Sequence, residues 1–378
     1  MGAELSLGGI IRAKGAAFLD SHPSTALLRK VMRAIVDCRT AALGGHRDWC
    51  DHCGFERVFW NSCRDRHCPG CGAEARQRWL EARRAELLDV PYFHAVFTIP
   101  HTLNPIALHA PAIIYAILLR SAGQAIVDVG KTRLRALLGA LTVLHTWGQT
   151  LMFHPHVHCV IPGGGFSLDG KRWVRLRKVS FLLAVKVLSR RFRTLVCNGI
   201  RAAYADGSLT LPSHLVPDST ALDFLLAQSS RTDWHAYIKP PFGGAAHVLA
   251  YLAGYTHRIA ISNRRILAFD GENVTFSWRD YAAGNIRKIM TLDAVEFIRR
   301  FLLHVVPAHF KRVRCYGFLA NCVRANNVAK ARELIGSPLQ PRPQAAEPTR
   351  LCPQCQQGTM RRLDDIEPQC LRTWFDSS

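Results

Sequence analysis

Two stretches of the chain have the side-chain pattern of β-strands. Residues 92–100 are aromatic and β-branched and stop at a proline, which predicts a strand. Residues 154–165 alternate histidines with apolar side chains and close on glycines, which predicts a second strand that enters a tight turn. Because successive side chains of a strand point to opposite faces, His156 and His158 are expected to project side by side. An isolated pair of this kind is more often simply polar than metal-binding.

Apolar side chains recur with helical spacing elsewhere. Residues 24–38 carry such side chains on one helix face, with Ser24 as the expected N-cap. Residues 106–119 and 133–146 are rich in alanine and leucine, and they are predicted to be helices that cover the sheet. A further helix is predicted to begin at an N-cap formed by Thr291.

Two hairpins and another helix complete the predicted elements. Residues 171–177 alternate after an Asp-Gly turn, and a second hairpin turns at residues 270–273. The alanine and leucine content of residues 245–258 predicts a helix. Tyr251 and Tyr255 are four positions apart, so both phenols should lie on one face of that helix. Taken alone, two tyrosines at this spacing are more often packing residues than catalytic ones.

No part of the sequence predicts export or a membrane span. The N-terminus lacks a basic start, a sustained apolar stretch and a cleavage-like site. The longest apolar run, residues 105–119, is shorter than the roughly 20 residues that a spanning helix needs. The chain is therefore expected to be soluble and cytoplasmic, close to the bacterial nucleoid. In a reducing compartment, its 13 cysteines favour metal ligands over disulfides.

The N-terminal cysteines have the spacing of a zinc site. Two Cys-x-x-Cys pairs can each present two thiolates to one tetrahedral ion. The predicted structural zinc ligands are Cys50, Cys53, Cys68 and Cys71. The residues left over, which form either a second interleaved site or ordinary core and surface contacts, are Cys38, His46, Cys63 and His67.

The C-terminal region is predicted to be a proline-rich linker followed by a tail that contains cysteines. Four prolines lie within residues 337–350. Cys352 and Cys355 form a further Cys-x-x-Cys pair, and Cys370 follows alone. These residues make only part of a zinc site. The candidates to complete it are Cys315, Cys322 or a second chain.

The charge of the chain indicates a polyanionic partner. Lysine and arginine (49) exceed aspartate and glutamate (28) by 21, and the isoelectric point is about 9.9. Residues 171–201 contain ten lysines and arginines and no acidic residue, which favours a surface that meets phosphates. The predicted DNA-binding residues are Lys171, Arg172, Arg190, Arg191, Arg258, Arg264 and Arg265.

Together these features favour phosphodiester cleavage. A divalent metal held by histidines would act as a Lewis acid on the scissile phosphate and orient it. A tyrosine hydroxyl would be the nucleophile and would become covalently joined to the 5′ phosphate. That bond would allow the strand to be rejoined without ATP, and a second tyrosine would permit a second transfer.

The His-Val-His sequence at His156 and His158, followed by Tyr251-x-x-x-Tyr255, resembles the HUH endonuclease superfamily. It is specifically similar to the two-tyrosine rolling-circle transposases of the IS-ninety-one family. The cysteine-rich residues 50–71 resemble that family's N-terminal zinc-binding domain. The other stretches that resemble its transposase domain are residues 97–100, 154–165, 251–265, 296–301 and 316–319.

The resemblance implies an α+β fold with a five-stranded antiparallel sheet flanked by helices, preceded by a small zinc-binding domain. It implies that His156 and His158 bind Mg²⁺ or Mn²⁺, and that the tyrosines are the nucleophiles. Tyr255 is the first choice for the initiating step because it lies beside a basic cluster. A third metal ligand is expected, with Gln149 and His154 as candidates.

The expected domains are residues 1–90 (helical and zinc-binding), 91–336 (HUH transposase) and 337–378 (linker and tail). The expected partners are single-stranded DNA of transposon ends and target DNA, with no membrane. Two alternatives remain from the residues alone. One is a plasmid replication initiator or relaxase with the same nicking chemistry. The other is a non-catalytic, zinc-dependent DNA-binding protein in which the histidines and tyrosines are core residues.

Overall fold

The structure is a computed structural model that describes residues 5–84, 86–178, 180–231, 234–239, 259–281, 283–336 and 350–369. Its helices are α1 (Leu7–Ser21), α2 (Ala26–Asp37), α3 (Gly72–Arg84), α4 (Asn104–His109), α5 (Pro111–Val129), α6 (Val185–Ala205), α7 (Ser219–Ser230), α8 (Ala294–Leu302) and α9 (Arg324–Ile335). Its strands are β1 (Gly45–Cys50), β2 (Glu56–Trp60), β3 (Tyr92–Thr98), β4 (Ala136–Leu137), β5 (Gly139–Trp147), β6 (Phe153–Pro162), β7 (Gly164–Ser167), β8 (Trp173–Arg175), β9 (Ala236–Lys239), β10 (Ile266–Phe269), β11 (Asn273–Asp280), β12 (Ile286–Asp293), β13 (Val313–Gly317) and β14 (Met360–Ile366).

A five-stranded antiparallel sheet carries the histidines, with the strand order β13-β5-β6-β3-β9. The strands predicted over residues 92–100 and 154–165 are β3 and β6. They lie side by side, with Thr98 opposite His156 and Val96 opposite His158. Helices flank this sheet, so the predicted α+β class is confirmed.

The two faces of the central sheet have different roles. On one face, Phe97 and Val157 point into the largest apolar core, which α5 and α6 cover. The ring of Phe97 lies 4.9 Å from that of Phe192 on α6. Because His156 and His158 alternate with Val157, they project from the other face.

The predicted helix over residues 133–146 is wrong, because most of this stretch belongs to β5. All nine residues of β5 are buried. A strand with neighbours on both sides and both faces covered shows a continuous apolar run instead of alternation. Such a run is easily mistaken for a buried helix when only its periodicity is considered.

The other predicted elements are close to those observed. Residues 106–119 are helical, divided between α4 and α5. Both predicted hairpins are confirmed, as β7 with β8 and β10 with β11. The cap of α2 is Thr25 rather than Ser24, and the cap of α8 is Asp293, since Thr291 still belongs to β12.

A second sheet joins distant parts of the chain. Strands β10, β11 and β12 form three antiparallel strands in that order. They share a core with α1, α2 and α8, in which Ile11, Ile35, Phe276 and Phe297 are buried. The N-terminal helices therefore pack against a region more than 200 positions later in the chain.

A third sheet has the order β14-β1-β2. The tail strand β14 runs antiparallel to β1, with Met360 opposite Cys50 and Ile366 opposite Gly45. The predicted boundaries between residues 1–90, 91–336 and 337–378 stay a prediction. This pairing joins the first of those three parts to the last.

Within the part of the chain that the structure describes, one helix, Pro111–Leu134, is long and apolar enough by composition to cross a membrane. It comprises α5 and the single π turn that follows. Of the most apolar stretch of this helix, 67% is buried inside the fold. There α5 packs between the central sheet and α6. This is the packing of a core helix.

Candidate active site and metal centres

Three histidines converge on the face of the central sheet that lies opposite the α5 and α6 core. His145, His156 and His158 each bring a ring nitrogen to within 4.8 Å of the others. His145 of β5 lies directly opposite His156 of β6, and the Nε2 atoms of His156 and His158 are 3.1 Å apart. Adjacent ligands of a six-coordinate ion with bonds of about 2.1 Å lie about 3.0 Å apart. The three rings therefore fit a shared divalent metal.

The backbone orients His156. Its Nδ1 lies 2.7 Å from the carbonyl oxygen of His154. Because a carbonyl oxygen can only accept, Nδ1 carries the proton and donates it, and Nε2 of the neutral ring keeps its lone pair. This tautomer is the one that a metal ligand requires.

A fourth histidine orients His158. Nδ1 of His158 lies 2.8 Å from Nε2 of His94 on β3, and the two rings stack. Burial, followed by the charge of Lys239, lowers the pKa of His94 to about 3, so this ring is neutral near pH 7. A neutral His94 can accept the Nδ1 proton of His158, which leaves Nε2 of His158 as an acceptor. His94 therefore orients the ring of His158.

His145 is not among the site residues predicted from the sequence. Its side chain is 2% exposed, and its ring stacks on that of Trp147 with centroids 4.6 Å apart. The available signal was the antiparallel pairing of residues 139–147 with β6, which puts His145 opposite His156. Assigning that stretch to a helix hides the pairing.

The two predicted third ligands lie outside this cluster. Gln149 donates through Nε2 to the hydroxyl oxygen of Tyr281 at 3.3 Å. The ring of His154 packs against that of His101, with centroids 5.4 Å apart. Among the described residues, the third nitrogen beside His156 and His158 comes from His145.

The segment that carries Tyr251, Tyr255 and Arg258 lies outside the described residues, so their predicted roles stay predictions. The same holds for the helix predicted over residues 245–258. The last described residue before this segment is Lys239, at the end of β9, which is the edge strand beside β3, and the first one after it is Ile259.

The first of two sulphur clusters is local in sequence. Its members are Cys38, Cys63, Cys68 and Cys71, whose Sγ atoms all lie within 4.8 Å of one another. The sulphurs of Cys63 and Cys71 are 3.6 Å apart. This local cluster packs against the core that α1, α2 and α8 share.

The second cluster joins the two ends of the chain. Its members are Cys50, Cys53, Cys352 and Cys355. The distances from Cys50 to Cys355 and from Cys53 to Cys352 are both 3.7 Å between sulphurs. We call this the end-to-end cluster.

These groupings correct the predicted ones. The predicted zinc site Cys50, Cys53, Cys68 and Cys71 is divided between the two clusters. Of the predicted second site, Cys38 and Cys63 belong to the local cluster, whereas His46 and His67 belong to neither. Sequence spacing identifies the tight Cys-x-x-Cys turns, but the fold decides which turns share an ion.

The two histidines outside the clusters have structural contacts. Nδ1 of His67 lies 2.9 Å from a carboxylate oxygen of Asp65, and its Nε2 accepts the backbone N–H of Val306 at 3.2 Å. His67 therefore ties the cysteine-rich loop to the chain that follows α8. His46 stacks on Phe59 in the β1-β2 hairpin.

The sulphur geometry fits zinc. Four thiolates around Zn²⁺ with bonds of about 2.3 Å form a tetrahedron with edges of about 3.8 Å, close to the 3.6 and 3.7 Å distances here. Hydrogen bonds from Cys63 and Cys68 lower the pKa of Cys38 to about 2, whereas the bond with Cys38 raises the pKa of Cys68. Without a cation the sulphurs compete for one negative charge, and a divalent ion would stabilise all four as thiolates.

Most of the predicted DNA-binding residues are not beside the histidines. Arg190 and Arg191 are exposed on α6, which covers the opposite face of the sheet, and Arg191 is paired with Asp128. Lys171 and Arg172 are exposed in the turn after β7, beyond the far end of β6. None of these four cations lies on a strand that carries the histidines.

The two described arginines after the tyrosine segment differ from each other. Arg264 is exposed. Arg265 donates its guanidinium protons to the carbonyl oxygens of Ser277, at 2.8 Å, and of Gln149. Arg265 thus links β11 to the loop after β5, which is a structural role.

Comparison with known proteins agrees with this geometry. A family model described as "Putative transposase" matches residues 139–327, and one described as "Transposase zinc-binding domain" matches residues 10–99. "Putative transposase y4qJ" of Sinorhizobium fredii is 44% identical to this chain over an alignment of 388 residues. The alignment covers 96% of this chain and 97% of that protein. "Transposase for insertion sequence element IS801" of Pseudomonas savastanoi pv. phaseolicola is 28% identical over 304 residues, covering 79% and 72%. No solved structure matches.

The fold, the clusters and these relatives define a DNA transposase with a zinc-binding domain. The chain belongs to the IS-ninety-one family of transposases. A transposase acts on DNA, which accounts for the excess of 21 positive charges. The zinc-binding domain and the cysteine clusters support structural Zn²⁺.

Proposed function

We propose that this transposase cuts and rejoins single-stranded DNA through a tyrosine nucleophile, with a divalent metal bound by His145, His156 and His158. The observation that carries the proposal is the approach of three imidazole nitrogens to within 4.8 Å on one face of an antiparallel sheet. Three protein ligands leave coordination positions open for phosphate oxygens, as a catalytic metal site needs. When bound, the ion would supply Lewis acidity and orient the scissile phosphate.

The tyrosine carries the covalent chemistry. The phenolic oxygen attacks phosphorus, the bond from phosphorus to the 3′ oxygen breaks, and the 5′ phosphate becomes esterified to the tyrosine. The phenolic proton goes to water, and the leaving 3′ oxygen takes a proton from water. A 3′ hydroxyl then attacks the phosphotyrosine, re-forms the phosphodiester and releases the phenol. One ester replaces another throughout, so no ATP is required.

We assign the initiating step to Tyr255 and the second transfer to Tyr251, because Tyr255 is the nearer of the two in sequence to the basic residues Arg258, Arg264 and Arg265. Ile259, four positions after Tyr255 in the sequence, lines a small cavity with Trp147, and the ring of Trp147 stacks on that of His145. This contact supports a tyrosine of the preceding segment as the nucleophile.

The proposed ion is Mg²⁺ or Mn²⁺. Imidazoles alone also suit zinc or nickel, so the choice rests on the hard phosphate oxygens that complete the site. The proposed substrates are the single-stranded ends of an insertion sequence and its target DNA, exchanged by rolling-circle transposition. The similarity to the transposase of the insertion sequence element IS801 supports this choice.

A covalent adduct tests the proposal. Purified protein is incubated with Mg²⁺ or Mn²⁺ and 5′-labelled or 3′-labelled single-stranded DNA from the element's ends. We expect a denaturation-resistant adduct with the 3′-labelled strand, because the fragment 3′ of the cut keeps the 5′ phosphate. Peptide mass mapping should find the DNA on Tyr255 or Tyr251.

Single and double Tyr→Phe variants separate the two roles. Tyr251→Phe with Tyr255→Phe should remove the adduct, whereas Tyr237→Phe, an exposed tyrosine on β9, should leave it unchanged. An intact adduct in the double variant would contradict the nucleophile assignment. A protein that binds DNA with no adduct under any metal condition would favour the non-catalytic DNA-binding alternative.

A further inference from the structure

The C-terminal Cys-x-x-Cys pair lies outside both matched family regions, which cover residues 10–99 and 139–327. In the fold this pair faces the first Cys-x-x-Cys pair of the chain. The contacts are crossed: Cys50 meets Cys355, and Cys53 meets Cys352, which is 299 positions away. The two turns therefore place four sulphur atoms within 4.8 Å of one another, where they can surround a single ion.

The two turns have the same backbone form. Gly54 follows the first turn and Gln356 follows the second, with φ of 69° and 57°. Each donates its N–H to the carbonyl oxygen of the first cysteine in its turn, at 3.1 and 3.0 Å. Backbone N–H groups also donate to the sulphurs of Cys50 and Cys355, at 3.4 Å each. Such donors stabilise thiolates, the form that binds a metal.

The tail approaches the first turn too closely for a side chain at Gly358. A Cβ atom at this position would lie 2.4 Å from the sulphur of Cys50 and 2.6 Å from Cβ of His52. The second turn can therefore close onto the first only with glycine here. The close approach belongs to the same four-sulphur geometry.

The sheet that carries this cluster has very little apolar core. Its buried core members are Cys50, Cys352 and Met360, with Phe55 and Cys355 packed against them. Most residues of β2 and β14 are exposed. A three-stranded sheet with so few buried side chains needs an additional cross-link to be stable.

Ion pairs in this sheet do not provide that cross-link. Arg47 pairs with Asp364, and Arg361 pairs with Asp51 at 2.9 Å, so charges do connect the tail to β1 and its turn. The arginine side chains of both pairs are exposed, and exposed pairs contribute little and are screened by salt. A third pair joins Arg350 of the tail to Asp48 of β1 at 3.6 Å; the carboxylate is buried, but the arginine is 65% exposed.

We propose that Cys50, Cys53, Cys352 and Cys355 bind one Zn²⁺, and that this ion fastens the C-terminal tail to the N-terminal sheet. Together with the local cluster, the protein then contains two structural zinc ions. The zinc-binding domain is assembled from both ends of the chain, and it cannot be completed until the tail has been synthesised.

Zinc content of the full-length protein tests this inference. Elemental analysis should find two Zn²⁺ per chain in the unaltered protein and one in the variant with both Cys352→Ser and Cys355→Ser. The matched control Cys315→Ser with Cys322→Ser changes two cysteines in neither cluster and should retain two ions. One ion in the unaltered protein, or two in the Cys352/Cys355 variant, would overturn the proposal.

A measurement on the unaltered chain keeps the proposal testable if the variant does not fold. Thiol alkylation during gradual zinc removal is followed by peptide mass spectrometry. Cys50, Cys53, Cys352 and Cys355 should become reactive together, as a single ion leaves. The opposite result is rapid alkylation of Cys352 and Cys355 while Cys50 and Cys53 remain protected, and it would show that the pairs do not share a metal.

Discussion

The histidine cluster and the two sulphur clusters are built in opposite ways. Each sulphur cluster brings four cysteines together, and four thiolates can close a tetrahedron around one ion. The histidine cluster brings together three histidines from two adjacent strands of one rigid sheet. Closed four-ligand sites hold a fold together, whereas an incomplete set on a rigid support leaves room for substrate.

This comparison predicts that stability and chemistry can be separated by mutation. Loss of a sulphur ligand should destabilise the protein first and reduce activity only as a consequence. Loss of a histidine should remove the chemistry while the sheet remains folded, since apolar residues on its other face build the core.

The largest effect is expected for Cys68→Ser in the local cluster. Cys68 is 3% exposed, and the cluster packs against the core of α1, α2 and α8. Structural zinc sites supply roughly 10–16 kcal/mol of apparent binding energy, which is comparable with the total stability of a domain, about 5–15 kcal/mol. We expect loss of one zinc and of cooperative thermal unfolding by calorimetry.

The matched control for this prediction is Cys322→Ser, an exposed cysteine outside both clusters. It should retain both the zinc content and the thermal unfolding temperature. If Cys68→Ser also retained them, the local cluster would not be a structural metal site.

The next largest effect is expected for His145→Ala. Loss of a partner that only orients a metal ligand costs roughly 10–100-fold in affinity or activity, so loss of a ligand itself should reduce the rate of DNA cleavage by roughly 100-fold or more. The zinc content should not change, and the protein should remain folded, although the cavity left by the buried His145 ring should lower the unfolding temperature. Cleavage rates at saturating DNA, measured over a range of Mn²⁺ concentrations, test this expectation.

Gln149→Ala is the matched control, because Gln149 is close in sequence but contacts Tyr281. It should keep near-normal cleavage. If His145→Ala were active and Gln149→Ala inactive, the three-histidine site would be wrong.

His145 also marks the limit of what could be predicted from the sequence. Strand β6 was recognisable because its histidines alternate with apolar residues. Strand β5 was not, because complete burial removes the alternation on which that recognition depends. The third histidine of the cluster became visible only through the pairing of these two strands.

The cysteines had a similar limit. The Cys-x-x-Cys turns were predictable, since each forms locally. Their partners were not, because Cys53 meets Cys352 across 299 positions, and Cys38 joins the local cluster from the end of α2. Long-range pairing depends on how β14 docks on β1, which no local spacing encodes.

The smallest of the three effects is expected for His94→Ala, which tests how far the sheet itself orients the ligands. Nε2 of His94 lies 2.8 Å from Nδ1 of His158, but His94 does not belong to the cluster of His145, His156 and His158. Its loss should free the His158 ring and weaken Mn²⁺ binding roughly 10–100-fold, or about 1.4–2.8 kcal/mol. Free Mn²⁺ measured by electron paramagnetic resonance gives this affinity independently of cleavage.

The control is His94→Asn, whose amide oxygen can still accept the proton on Nδ1 of His158, and it should restore part of the Mn²⁺ affinity. A lower unfolding temperature with unchanged Mn²⁺ affinity would instead make His94 a packing residue, and the strands alone would then be sufficient to hold the site.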